Sequence, residues 1–162
     1  MVLTYFSRTS MRRLLPSVFL LLISIASMAQ LPIDFNQLVH RTHAERVFLL
    51  NPYYELGIRN FDSLEIAGHI NTLRELAEVH NDPDLNFEAD VIRAHYLTYS
   101  SGIDEQFVVS ELNNMLELGE KNKSIWFQVR IHSVLGHYYF DEIGQYEYAL
   151  VHLTKAANLM DE

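Results

Sequence analysis

Apolar side chains recur along most of this chain three and four residues apart, the spacing that lines one face of an α-helix. Nothing alternates with period two over a useful length, so the pattern predicts helices and no sheet. Polar start and stop signals divide the helical pattern. Asp34 and Gln37 have capping-box spacing, which predicts a helix from about Phe35 to Leu50 that Asn51-Pro52 ends. Tyr53–Asn60 reads as a turn holding Gly57. Asp62 with Glu65 opens a second helix that runs to about His80. Asp82 reads as the N-cap and Pro83 as the first residue of a third, which stops near Ser101 with Gly102 behind it. Asp104 and Glu105 suit the positive end of a fourth helix, and Lys121 and Lys123 suit its negative end. Ser124 caps a fifth to Ile143, Gly144 ends it, and the last runs from Tyr146 to the terminus.

The pattern also repeats. A shift of 38 residues lays Val91 on Val129, Leu97 on Leu135, Leu112 on Leu150 and Met115 on Leu153. A shift of 39 lays Ile70, Leu73, Leu76 and Val79 on Val109, Leu112, Met115 and Leu118. Self-similarity at such a period marks a helical-repeat array, in which one hairpin covers its apolar stripe by stacking on the next. The competing reading is an ordinary helical bundle with a chance register.

The last unit, 129–162, carries Leu135-Gly136 and Tyr139, then Gly144-Gln145-Tyr146, Ala149-Leu150 and Ala156. On these residues it resembles a tetratricopeptide repeat. The likeness covers roughly the last fifth of the chain well. It is weaker in the middle unit, where Thr98 stands for Gly136 and Glu111 for Ala149. It departs by one extra residue between Tyr139 and Gly144, by His132 where a Trp is usual, and by the absence of a closing Pro. The resemblance implies an all-α fold of stacked antiparallel hairpins, an α-solenoid fragment over 62–162, behind a lead-in helix and turn at 30–61. It implies that Leu135, Gly136, Tyr139, Gly144, Tyr146, Ala149 and Ala156 pack the hairpin, small residues at the helix crossing and aromatics in the gaps. First helices line the groove in this family, which points to Arg130, Ser133, His137 and Phe140, and by the shift of 38 to His95 and Tyr99. Such a groove holds another protein or an extended peptide.

The beginning of the chain changes the address. Arg12 and Arg13 precede an uncharged run, Leu14–Ala29, with small residues Ser27 and Ala29 before Gln30. This is the pattern of a cleaved signal peptide over 1–29, with Met11 as an alternative start, and it predicts a periplasmic or secreted protein. The rival is an uncleaved inner-membrane anchor, for which the run falls short of the ~20 residues a span needs. No second apolar run follows. The chain has no cysteine, which excludes disulfides and a lipid-modified cysteine. Its formal charge is −9, and removal of Arg8, Arg12 and Arg13 takes the remainder to about −12. Such acidity disfavours nucleic acid and anionic membranes. An export signal before degenerate repeats also resembles the N-terminal regions of bacterial repeat-containing sensor kinases and regulators, especially among Bacteroidetes. The alternative function is therefore the sensing end of a membrane signalling protein.

Catalytic and metal chemistry find little footing. Asp82, Asp84, Asn86, Glu88 and Asp90 alternate like a calcium loop, but Phe87 replaces its turn glycine and Arg93 its last acid, so they read as a solvated helix start. His40 and His43 sit one helical turn apart, too few ligands for zinc. With no nucleophile motif or phosphate loop, the chain reads as a binding protein, neither an enzyme nor the holder of a cofactor. Leu150, Leu153, Ala157 and Met160 leave an apolar stripe on the last helix, which suggests self-association there or a longer protein.

Overall fold

The computed structural model describes residues 34–54 and 58–161, which lie in helices and the turns joining them, with no strand among the described residues. The chain divides into two units, Met1–Ile33 and Asp34–Glu162. The first, with the expected signal peptide, lies outside the described residues, as does Gly57. A 3-10 turn, Phe35–Leu38, leads to α1 (His43–Pro52). Then come α2 (Ser63–Val79), α3 (Asp84–Tyr99), α4 (Glu105–Lys121) and α5 (Ile125–His137). A π-helical turn, Tyr138–Ile143, follows α5, and α6 (Tyr146–Met160) closes the fold.

Local hydrogen bonding explains where the helices begin. Asp62 and Glu65 close a reciprocal capping box at α2, and the Asp104 carboxylate accepts from the Phe107 amide at α4. The lead-in departs from the expected single helix. Asp34 accepts from the Asn36 amide, which tightens the chain into a 3-10 turn, and His40 then turns left-handed at φ 54°. The box that starts α1 is Thr42 with Glu45, both halves closed. At the far end α1 runs through Asn51 and Pro52, because a proline at the last position forfeits only one helix bond. Asp82 does not cap α3 as expected; its carboxylate is taken by Arg46 and by the His40 amide, and Pro83 holds the cap position. Ser124 sits at the N-cap of α5 but makes no side-chain cap bond.

The core lies where α3, α4 and α5 meet. Val91, Ala94 and Leu97 face Val108, Leu112 and Met115, and Phe127, Ile131 and Leu135 close the cluster. Each fully buried Leu, Ile or Phe contributes about 1.5–3 kcal/mol. α2 packs with α3, α4 with α5, and α5 with α6, while α3 also lies against α5. Two glycines let α5 approach its neighbours. A Cβ on Gly119 would stand 2.8 Å from Gln128 Cγ, and one on Gly136 would stand 2.6 Å from Leu153 Cδ2.

The chain between Tyr139 and Gly144, one residue longer than the pattern it was compared with, forms the π-helical turn. A helix absorbs one inserted residue by widening a turn from i→i+4 to i→i+5. Here the Gly144 amide reaches back to the Tyr139 carbonyl, and Gly144 itself takes φ 74°, a conformation that favours glycine. Beyond it, α6 fully buries only Ala149 and Ala156. Leu150 and Met160 are exposed as expected, whereas Leu153 is half-buried against Gly136. Of the residues expected to pack the last hairpin, Leu135, Gly136, Ala149 and Ala156 are buried, and Tyr139 is half-buried against Tyr148 and His152. Tyr146 is exposed and touches Phe140 edge-on.

Candidate binding cleft

The lead-in segment reaches across to α3 and α5 through four side chains. Arg46, 1% exposed, donates from Nη2 to Asp82 Oδ2 at 2.7 Å and from Nε to the Leu38 carbonyl at 3.1 Å. Asp82 Oδ2 also accepts from the His40 amide at 2.7 Å. Burial would raise the Asp82 pKa, but the His40 amide and Arg46 outweigh it and hold the carboxyl below its ordinary value. The His43 ring stacks on Trp126 with centroids 4.1 Å apart, and its Nε2 lies 3.8 Å from Asp84 Oδ2. Tyr54 lies on His95 at 4.5 Å and under the Arg130 guanidinium at 5.2 Å. Arg59 stands 4.1 Å over the Tyr99 ring.

Glu88 overturns the expectation of a solvated acidic helix start. It is wholly buried on α3, and its nearest charge is Arg130 Nη1 at 3.6 Å. Burial raises its pKa, countered by Arg130 and Arg46. A charged pair in such surroundings adds little net stability, but it penalises any register that separates the two charges. Asp90 is raised by burial as well, against the pull of Arg74.

Between α1, α3, the start of α5 and the end of α6 opens a cleft of about 870 Å³. Val47, Phe87, Ile125, Trp126, Val129 and Met160 give it apolar walls, and His43, Asp84, Lys123 and Arg130 bring polar groups to it. Its size and its mix of apolar wall with a few polar groups are those of a ligand site. A smaller cleft of about 270 Å³ lies further along, lined by His95, Tyr99, His137, Asp141 and Glu142 among others.

The residues expected to line one groove are thus divided. His95, Tyr99 and His137 meet in the smaller cleft, although His95 and Tyr99 are already in contact with Tyr54 and Arg59 of the lead-in. Arg130 lines the larger cleft and is engaged with Glu88 and Tyr54. The Ser133 hydroxyl donates to the Val129 carbonyl of its own helix, and Phe140 is exposed against Tyr146. His40 and His43 go to different neighbours, His40 to Asp82 and His80, His43 to Trp126 and Asp84. The sequence did not point to Trp126, Phe87 or His43 as cleft residues. Repeat spacing relates α3 to α5 but says nothing of which face the lead-in covers. The adjacent aromatics Trp126 and Phe127 at a helix start were the one available signal.

Five imidazoles are held below their ordinary pKa, chiefly by burial. They are His43, His69 and His152, with His95 at about 3 and His132 at about 4. The unfolded chain binds these protons more readily, so their contribution is complete above the unfolded value near 6.5 and declines as pH falls toward 4. Glu88 and Asp90, raised by burial, act in the opposite direction over part of that range. His95 and His132 shift furthest, and their loss dominates between pH 7 and pH 5, so the thermal midpoint is expected to drop over that range by on the order of 5 °C. A midpoint level across that range, followed by circular dichroism, would contradict the burial of these rings.

In comparison with known proteins, no family model, curated protein or solved structure matches the chain.

Proposed function

We propose that this chain is an exported, tetratricopeptide-like binding module that seats an extended segment of a protein partner, with a bulky apolar side chain of that segment anchored in the Trp126 cleft. The cleft carries the proposal. Aromatic and aliphatic walls around a few polar groups are what anchors a peptide side chain, and large apolar anchors dominate the energetics of such contacts. The position of the cleft supports the reading. The faces of α3 and α5 that would form a groove lie side by side, and the lead-in covers their middle, leaving space chiefly at the Trp126 end. The repeat-like register and the small residues at the α5–α6 crossing support the family reading. The Arg12-Arg13 and Leu14–Ala29 pattern supports export.

Trp126 is the sole tryptophan of the chain, so its emission reports on the cleft directly. Linear peptides selected from a random library on the whole protein are expected to shift that emission on binding. They are expected to lose at least ~10-fold in affinity on Trp126→Ala, a truncation typical of a binding hot spot. Selected peptides that bind the Trp126→Ala protein as well as the native one, with its helical content unchanged, would remove the cleft from the account.

A further inference from the structure

The deepest unused chemistry outside the cleft is a pair of histidines between α5 and α6. His132 Nδ1 and His152 Nδ1 are 3.0 Å apart, so one ring donates its proton to the other. It is the one side-chain hydrogen bond joining these two helices among the described residues. His132 is buried, and the His152 ring is stacked on Tyr139, which in turn stacks on Tyr148. α6 packs closely on α5, but few of its side chains are fully buried. α6 fully buries only Ala149 and Ala156, and its Leu150, Val151 and Met160 stand in solvent. Yet the end of α6 supplies Leu159 and Met160 to the wall of the cleft.

We propose that the His132–His152 pair is an acid-operated latch on α6, so that double protonation undocks this helix and takes down one wall of the cleft. The inference rests on the reading of the cleft as the binding site and assigns its regulation. In the neutral pair one Nδ1–H donates to the lone pair of the other Nδ1, and a first added proton only strengthens that bond by charge. A second proton makes both Nδ1 atoms donors, which leaves neither an acceptor and sets two positive charges face to face. Lys155 of α6 adds a third positive charge nearby, and among the described residues no carboxylate acts on either ring. Tyr139 of the π-helical turn and Tyr148 of α6 are the other titratable groups at the pair, and both phenols stay neutral at acid pH. From α3 and α4, packed on the other sides of α5, no charged group acts on the pair. The device is a local opening of a helix with few fully buried side chains, biased by protons.

Hydrogen exchange on the full chain tests the latch. Corrected for the intrinsic pH dependence of exchange, opening of residues 146–160 is expected to rise on the order of tenfold from pH 7.5 to pH 5, relative to α4, which carries no histidine. His152→Gln should keep part of the response, and the double variant His132→Gln/His152→Gln should abolish it while leaving the helical content intact. Exchange that rises equally in α4 and α6, or a double variant that responds like the native chain, would overturn the proposal. The link to the cleft is read separately with the neutral fluorophore N-phenylnaphthylamine. It is expected to bind at pH 7.5 and to weaken by on the order of tenfold at pH 5 in the native chain only. Equal binding at both pH values would break the link, and binding at neither, with α6 still opening, would sink the cleft reading itself.

Discussion

Arg46→Ala is expected to cost about 3–5 kcal/mol of folding stability, the largest effect of any single truncation proposed for this protein. The guanidinium is 1% exposed and ties α1 to the turn before α3 through Asp82, while its Nε holds the Leu38 carbonyl of the preceding turn. Removing it leaves the Asp82 carboxylate buried with only the His40 amide as a close donor, together with an empty space the length of an arginine stem. Chemical denaturation reads the loss as a lower midpoint at an unchanged slope. Arg46→Met, which fills the space without the charge, is expected to recover only part of it, because Asp82 stays unpaired. A loss below about 1 kcal/mol for the alanine variant would mean that Arg46 does not anchor the lead-in to Asp82.

Gly136→Leu should be nearly as damaging, by crowding and not by loss. The first added carbon would already stand 2.6 Å from both Cδ2 and Cγ of Leu153, and 3.4 Å from the Ala149 carbonyl oxygen. Cγ is a branch point near the backbone, so Leu153 cannot swing clear without moving α6. Overpacking of this kind costs about 1–3 kcal/mol, and more where the backbone must shift. Gly68, in the interior of α2, provides the contrast, since a Cβ there meets nothing within 4 Å. Gly68→Ala is expected to stabilise by about 0.5–1 kcal/mol through helix propensity alone. Thermal unfolding of the two variants should move in opposite directions. Equal midpoints would contradict the close crossing of α5 and α6.

Much of the fold was legible because it depends on local rules. Capping at Asp62, the acids that open α4, the stop at Gly144 and the small residues at the α5–α6 crossing each involve neighbours in sequence or a single helix pair. The lead-in was misread for the opposite reason. Whether Asp34 or Thr42 starts the helix is decided by which box closes on both sides, and Asp82 looked like a cap because its partner, Arg46, lies 36 residues away. The alternation of acids from Asp82 to Asp90 likewise hid the burial of Glu88, which depends on Arg130 two helices later. The candidate site was half legible. The shift of 38 residues related His95 and Tyr99 to α5, but Tyr54 and Arg59 already rest on them, and the open cleft lies at Trp126.

The most direct measurement is an amide chemical-shift map of the whole protein, recorded as a library-selected peptide is added at neutral pH. The largest changes are expected on the cleft, at Ala44, Val47, Phe87, Trp126, Val129 and Met160, fading along α2. A map centred instead on the outer face of α6, at Tyr146, Leu150 and Val151, with the cleft amides unmoved, would contradict the cleft reading.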